Sequence, residues 1–553
     1  MSFSVFNSLT GQKEPFQPAD PERVRIYNCG PTVYNFNHIG NFRAYIFVDQ
    51  LRRYLRFRGY GLDHTSNITD VDDKIIDNAL KEGKSIQEFT SPYVDAFLQD
   101  LETLRIESVE HRPKATEHIE TMLEMIGELD KRGHTYTVDG NVYFKLKSFP
   151  EYGKLSKIET QQLMTAAGGR FEADEYDKED VRDFALWKAP AKKDEPAWES
   201  PYGAGRPGWH LECSAMIRNI YGKDGIDIHT GGIDLLFPHH ENEIAQSCGA
   251  YPGENFVRYW MHNEHLLVES KKMSKSLGNF FTLRDLTEKD RAQKLIDSGV
   301  APSWILDYIE SGWMPICIRY LLSATHYRNK LNFTFDGLKA ARTSIERIQH
   351  AVDELLEKTG LGEDEIQELI SARRQGNKPG QGSANLVSKD SPFYDELQEF
   401  LHAMDDDLNI SRALAAVFEA VKTANTLLSR TTAGEAGSGE SGDAASGDSE
   451  NAKQAAGKSK TGADKPANDV SESLKDALVF LAAVNEVLGV LRFSPEEQGL
   501  DDDLATKVED LLQQRADARK SKDFARADAI RDELTSMGIE IKDTPEGTKW
   551  HRI

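Results

Sequence analysis

The sequence predicts an α/β fold: a Rossmann-type parallel-sheet domain with a connective insertion, followed by an α-helical bundle and a small α+β tail domain. Three observations carry this. Short β-branched and aromatic runs, such as Arg23–Tyr27 and Ile226–His229, lead into glycine-bearing turns among helix-periodic segments, the alternation that builds an open parallel sheet. Apolar residues then recur at helical spacing through Ile410–Leu428 and Ala477–Leu491, as in a helix bundle. After Ala505 the chain carries its own amphipathic helices and a short strand signal at Gly538–Asp543.

At 553 residues the chain is long enough for several domains around a large core. The expected divisions are 1–110 (first sheet half with an N-terminal arm), 111–205 (insertion) and 206–270 (second half). They continue with 271–335 (a polar loop and a helical region), 336–495 (bundle, with flexible insertions at 371–392 and 431–469) and 505–553 (tail).

Arg23–Tyr27 reads as a buried strand, Cys29–Asn41 as a strand-to-helix turn, and Phe42–Phe57 as a helix ended by Gly59-Tyr60-Gly61. His64–Asp70 is a strand with a polar end, and Asp72-Asp73-Lys74 opens the next helix. Those carboxylates either face the crevice at the carboxyl edge of the sheet or cap the helix. In the insertion, Ile119–Arg132 is an amphipathic helix and Thr135–Phe144 a hairpin turning at Asp139-Gly140. Gly231 and Gly232, leaving the strand Ile226–His229, permit close backbone approach to a ligand. Lys271–Asn279 is too polar to be core, and 280–335 reads as helical. Arg373–Lys389 and Thr431–Asn468 are rich in small and polar residues, the composition of flexible or disordered chain.

A net charge of −24 argues against a nucleic-acid partner. Runs such as Asp70–Asp73, Asp405–Asp407 and Asp501–Asp503 hold much of the acid, and binding depends on local basic surface. Four cysteines make no disulfide framework. Cys248 and Cys317 sit in apolar settings, whereas Cys29 and Cys213 are available as thiolates. There is no apolar run long enough to cross a bilayer, and Met1–Asn7 lacks leader features, so the cytoplasm is the expected location.

The turn at Cys29–Asn41 sits where an open α/β sheet places its ligand, and the amides opening the next helix suit a phosphate. A cysteine at a strand end is by itself ordinary core, so its partners decide. His239 and Glu243 stand four apart and share a helix face, with His240 and Glu241 expected to point elsewhere. Thiolate, imidazole and carboxylate all suit zinc. The spacing of Cys29, Cys213, His239 and Glu243 matches no zinc finger and leaves the metal open.

His38-Ile39-Gly40-Asn41 with the downstream Lys272-Met273-Ser274-Lys275-Ser276 resembles the paired signature of class I aminoacyl-tRNA synthetases. The thiol, histidine and glutamate set between them resembles that of the cysteinyl-tRNA synthetase family. The likeness covers most of the chain apart from 288–312 and the two small-residue tracts. It implies ATP-dependent activation of L-cysteine, transfer to tRNA(Cys), one zinc on Cys29, Cys213, His239 and Glu243, magnesium with ATP, and a monomer. It implies catalytic roles for His38, Asn41, Lys272 and Lys275, with Gly40, Gly231, Gly232, Asp234, Ser274 and Ser276 completing the nucleotide site. Thr69 and Trp209 would line the cysteine pocket, although Trp209 also reads as core. Trp550 and Arg552 would meet the tRNA, by base stacking if Trp550 is not a core cap. Tyr320–Lys330 resembles the stem-contact region, and the short insertion implies no editing domain. Asn41 departs from the second histidine common in the class. Two other readings stay open: a ligase joining cysteine to an amino sugar in mycothiol synthesis, and a catalytically silent RNA-binding relative.

Overall fold

The computed structural model describes residues 2–157, 183–192, 194–274, 277–437, 467–493, 502–521, 523–536, 539–544 and 547–552. The chain opens with an antiparallel hairpin, β1 (Ser4–Asn7) and β2 (Gln12–Pro15). β3 (Val24–Asn28), α1 (Ile39–Phe57), β4 (Leu62–Ser66), α2 (Asp73–Glu82) and α3 (Ile86–Thr103) follow. The insertion contributes α4 (Ile119–Lys131) and an antiparallel sheet of β5 (Thr135–Val138), β6 (Asn141–Phe144), β7 (Phe184–Lys188) and β8 (Arg206–Pro207). α5 (Trp209–Tyr221), β9 (Ile226–Gly232), α6 (Glu241–Ala250) and β10 (Val257–Asn263) make the second half.

The central sheet runs β10-β9-β3-β4 with every pair parallel. Each half of the domain adds strands outward from the β3/β9 pair, so the strand order reverses between those two parallel strands. The crevice beyond their carboxyl ends is the expected ligand position, and Cys29 and Gly231 lie there. The insertion has its own core of Met122, Ile126, Leu129, Phe144 and Trp187. Its hairpin turns at Asp139 (φ 50°) and Gly140 (φ 80°), the paired positive φ values that suit strand twist.

Beyond β10, strands β11 (Leu266–Val268), β12 (Lys271–Lys272) and β13 (Leu331–Phe333) form a small sheet. β13 corrects the expectation of helix throughout 280–335. Leu331 and Phe333 are buried and pair in parallel with β11, an arrangement made by a partner far away in sequence. Helices 283–287, 289–297, 305–310 and 313–323 precede β13, with turns and irregular chain between 324 and 330. The bundle comprises Phe335–Thr359, Glu363–Arg374, Tyr394–Asp405, Ile410–Gly437 and Ala467–Leu488, and its core is continuous with the α1 face carrying Phe47, Leu51 and Tyr54.

The expected flexible insertion at 371–392 is instead packed. Ser383, Leu386 and Val387 are buried, Gly380 N donates to Arg58 O, and Ser383 Oγ donates to Phe57 O at 2.8 Å. The loop thus satisfies carbonyls left open at the end of α1. Its glycines serve proximity: a Cβ on Gly382 would sit 2.3 Å from Phe57 O. The tract expected to be disordered, 431–469, lies for the most part outside the described residues.

The chain divides into two compact units, Met1–Ile309 with Trp313–Phe493, and Glu310–Gly312 with Ser494–Ile553. In the second, helices Asp502–Lys520 and Phe524–Ser536 precede the hairpin Ile539–Thr544/Gly547–Arg552 around Val508, Leu511, Ile530, Leu534 and Ile539. Among the described residues no helix is long and apolar enough to cross a membrane.

One buried ion pair fixes the helix that opens at the crevice. Arg319 (1% exposed) donates to Asp49 Oδ2 of α1 at 2.6 Å and to the carbonyls of Leu104, Arg105 and Leu488. Arg319→Ala leaves Asp49 buried without this partner. It should cost about 3–5 kcal/mol in urea unfolding, and a change under ~1 kcal/mol would refute the pair's importance.

Candidate active site

Cys29 leaves β3 where the chain crosses the end of β4. Gly30 N donates to Asn67 Oδ1 at 2.8 Å, and Asn28 Nδ2 donates to Cys29 O at 3.1 Å. A Cβ on Gly30 would meet the Asn67 carbonyl oxygen at 1.5 Å, so only glycine fits the crossing. Cys213, buried on α5, places its Sγ 3.9 Å from Cys29 Sγ. His239 precedes α6 and Glu243 lies in its first turn, with His239 Nε2 and Glu243 Oε1 3.1 Å apart. The ligand atoms of Cys29, Cys213, His239 and Glu243 all fall within 4.8 Å of one another. The four residues singled out in the sequence therefore converge.

The ligand atoms of a second set, Cys29, His229, His240 and Glu243, also lie within 4.8 Å of one another. The expectation that His240 points away is corrected: its Nε2 lies 3.4 Å from Cys29 Sγ. The turn Leu236–His240 is not a regular α-helix, with Phe237 extended at φ −140°, ψ 130°, so helical spacing does not predict the direction of His240. Gly231 makes room for its ring, since a Cβ there would lie 2.7 Å from His240 Cε1. Glu241 does point elsewhere, accepting Gly153 N at 2.8 Å and Ser156 N at 2.7 Å.

A histidine network that the sequence reading missed surrounds the cluster. His210 Nδ1 lies 2.9 Å from His239 Nδ1, and His229 Nε2 lies 3.0 Å from Glu243 Oε2. His240 Nδ1 lies 2.8 Å from His262 Nε2, and His262 Nδ1 is 2.8 Å from Ser8 Oγ. The available signal was density: five of the 15 histidines fall between 210 and 262.

The hydrogen bond from Cys29 holds the Cys213 thiol down to about 6, whereas burial and its Cys213 neighbour push Cys29 well up. Burial alone would lower His239, but close contact with Cys213 and Glu243 raises it to about 10. Burial would raise Glu243, yet His229 and His239 hold its carboxyl down to about 2. His239 Nε2 and Glu243 Oε1 are buried without a well-formed hydrogen bond despite their 3.1 Å separation. Two soft sulfur donors, an imidazole and a carboxylate with unpartnered atoms aimed at one point fit a divalent metal.

Beside the cluster, Trp209 stacks on His239 at 4.4 Å and remains 38% exposed. Thr69 is buried, its Oγ1 donating to Glu212 Oε2 at 2.8 Å. Asp72 caps α2 through Lys74 N, and Asp73 pairs with Lys188 and Arg206, so for this pair the capping and structural alternative holds.

His38 caps α1. Its Nδ1 accepts from Asn41 N at 3.2 Å while Asn41 Oδ1 accepts from His38 N at 3.1 Å. Asn41 thus completes a capping box that a histidine side chain could not reproduce with the same amide oxygen. Burial drives His38 down to about 4 against the pull of Asp234. The neutral ring, accepting at Nδ1, carries its proton on Nε2. Gly40 packs against the polar loop, where a Cβ would lie 2.5 Å from Met273 Cε. Asn279 shapes that loop, accepting Ser274 N at 2.9 Å and donating to Lys272 O at 3.2 Å. Lys275 and Ser276 lie outside the described residues. In the other unit, Trp550 and Arg552 stand on the last strand in register with Ile541 and Ile539.

Comparison with known proteins places these features in a family. The model of the tRNA synthetases class I (C) catalytic domain matches residues 15–300, the DALR domain 399–492, and the cysteinyl-tRNA ligase anticodon binding domain 501–550. A cysteine–tRNA ligase of Leptospira interrogans (serogroup Icterohaemorrhagiae, serovar Lai) is 46% identical over 553 residues, covering 100% of each chain. One from Brachyspira hyodysenteriae is 41% identical over 549 residues, covering 99% of this chain and 98% of that one. A solved Mycobacterium tuberculosis methionyl-tRNA synthetase in complex with methionyl-adenylate superposes with TM-score 0.52 at 13% identity, over 85% of this chain and 92% of that one, a likeness of fold.

Near neutral pH the metal-free cluster holds the Cys213 thiolate, the Glu243 carboxylate, a protonated Cys29 and the His239 imidazolium. A metal takes thiolates and neutral imidazole, so its binding should expel about two protons per chain. Calorimetric titration of metal-stripped protein in buffers of different ionisation enthalpy counts them, and a count near zero would contradict these protonation states.

Proposed function

This chain belongs to the cysteinyl-tRNA synthetase family, and we propose that it activates L-cysteine with ATP and transfers it to the 3′ end of tRNA(Cys). The convergence of Cys29, Cys213, His239 and Glu243 within 4.8 Å carries this reading, because it offers a sulfur-selecting centre beside a nucleotide site. Those four residues would hold one zinc ion. Bound there, zinc supplies a preference for a thiolate over a hydroxyl or methyl group, which a purely apolar pocket separates by only about 10²-fold. His229 orients Glu243, and His210 orients His239 through its outer nitrogen. Trp209 and Thr69 border the amino-acid pocket.

In the first step a carboxylate oxygen of cysteine attacks the α-phosphorus of ATP. A mixed carboxylic–phosphoric anhydride forms, the bond from the α-phosphorus to the bridging oxygen breaks, and pyrophosphate departs. Positioning and charge stabilisation suffice, without a nucleophilic side chain. His38 donates its Nε2 proton in a hydrogen bond to phosphate oxygen, its tautomer fixed by Asn41 N. Lys272 and Lys275 meet the charge developing on pyrophosphate, with Ser274 and Ser276 supporting the loop. Gly40, Gly231, Gly232, Asp234 and Asn41 border the nucleotide. In the second step a hydroxyl of the terminal ribose attacks the activated carbonyl and AMP leaves. The tail strand bearing Trp550 and Arg552 would face the anticodon end of the tRNA. The reduced thiols suit a reducing compartment, so the cytoplasm is the proposed location. The match of an anticodon-binding model to 501–550 favours tRNA over an amino sugar as acceptor.

The test is pyrophosphate exchange and tRNA(Cys) charging with cysteine against serine. Cys213→Ser should keep the circular-dichroism spectrum and melting profile of a folded protein while losing cysteine-dependent exchange by about 10²-fold or more. Normal exchange in that variant would overturn selection of the thiol by this cluster.

A further inference from the structure

The two thiols are supplied by separate elements, Cys29 by the turn after β3 and Cys213 by α5, so something must set the gap between them. The turn is bound to the extension of β4: Thr69 N donates to Pro31 O at 3.0 Å and Val33 N to Thr69 O at 3.1 Å. Gly30 N donates to Asn67 Oδ1 at 2.8 Å. From there the chain of contacts continues across to the helix. Asn67 Nδ2 donates to Thr69 Oγ1 at 3.3 Å, and Thr69 Oγ1 donates to Glu212 Oε2 at 2.8 Å. Asn67, Thr69 and Glu212 are 1%, 3% and 1% exposed. Glu212 immediately precedes Cys213. At the far end of the same helix, Tyr221 OH lies 2.7 Å from Thr65 Oγ1 of β4. Helix α5 is therefore anchored at both ends to β4 and its extension, and Glu212 is the anchor at the ligand end.

We infer that Asn67, Thr69 and Glu212 form a buried bridge that sets the separation of Cys29 from Cys213, with Glu212 the positioning residue on the helix. This rests on the four-residue metal site proposed above. A carboxyl at this depth is costly unless hydrogen-bonded, and its bond reaches the segment that holds the opposite ligand. An oxygen acceptor at position 212 is what the bridge requires. Glutamine supplies one and alanine does not.

The experiment uses the purified full-length chain as parent, Glu212→Ala, Glu212→Gln, Thr69→Val and the Thr69→Val/Glu212→Ala double variant. Zinc affinity is read by competition with a chromophoric chelator, and cysteine-dependent pyrophosphate exchange is read as KM and kcat. Glu212→Ala and Thr69→Val should each weaken zinc about 10–100-fold and raise KM for cysteine more than they lower kcat. The double variant should lose no more than either single change, because both break one bridge. Glu212→Gln should stay within about threefold of the parent, since its amide oxygen still accepts from Thr69. Melting of the metal-stripped forms shows which variants fold, and if Glu212→Ala does not, Thr69→Val and Glu212→Gln carry the comparison. Zinc affinity unchanged in Thr69→Val or Glu212→Ala, multiplied losses in the double variant, or Glu212→Gln as weak as Glu212→Ala would each overturn the bridge. A parent that binds no zinc at all would instead overturn the metal site itself, and the bridge with it.

Discussion

Cys29, Cys213, His239 and Glu243 bring their ligand atoms within 4.8 Å of one another, and three of the four are buried. A protein interior accepts such crowding of thiolate and carboxylate only beside positive charge. In the metal-free state that charge is a proton: His239, raised to about 10, stays imidazolium against the Cys213 thiolate and the Glu243 carboxylate. A divalent ion would take the place of protons in the same electrostatic hole. The rest of the domain meets the geometric demand this makes. β3 and β9 are neighbours at the sheet's reversal point, the Gly30–Asn67 crossing aims Cys29, and the irregular turn before α6 presents both His239 and His240 inward.

The proposed nucleotide end follows a different logic, with a neutral group in place of a charged one. His38 is driven to about 4 by burial, so at neutral pH it offers a hydrogen bond, and positive charge is left to the lysines of the polar loop. Asn41 fits this division. Its side-chain oxygen closes the helix cap on His38 N, while its backbone N–H, donating to Nδ1, fixes which His38 nitrogen bears the proton. Gly40 against Met273 brings the two halves of the signature into proximity, joining segments more than two hundred residues apart.

Much of this was legible in the sequence where local chemistry decides structure. Asp139-Gly140 named its own turn, β3 and α1 followed their patterns, and the clustered Cys29, Cys213, His239 and Glu243 were identifiable by type once the family resemblance was seen. What was not legible depended on distant partners or irregular backbone. β13 exists because β11 is there to pair with it. The loop at 371–392 reads as flexible from its glycines, yet those glycines admit the end of α1. His240 broke the helical-face rule because its turn is not α-helical. The acidic runs, an apparent objection to an RNA partner, are partly internal. Asp405 pairs with Arg58, Asp407 accepts Phe6 N and Tyr327 OH, and Asp70 accepts from Thr116, so part of the negative total serves folding.

In the proposed function, one ion on Cys29, Cys213, His239 and Glu243 would recognise the amino acid through its sulfur. Cobalt substitution tests it most directly, because thiolate-to-cobalt charge-transfer absorption reports each sulfur bound to the ion. The protein should take up one cobalt per chain, with a thiolate spectrum that intensifies on adding cysteine and does not respond to serine. A spectrum unchanged by cysteine, or equally altered by serine, would contradict it.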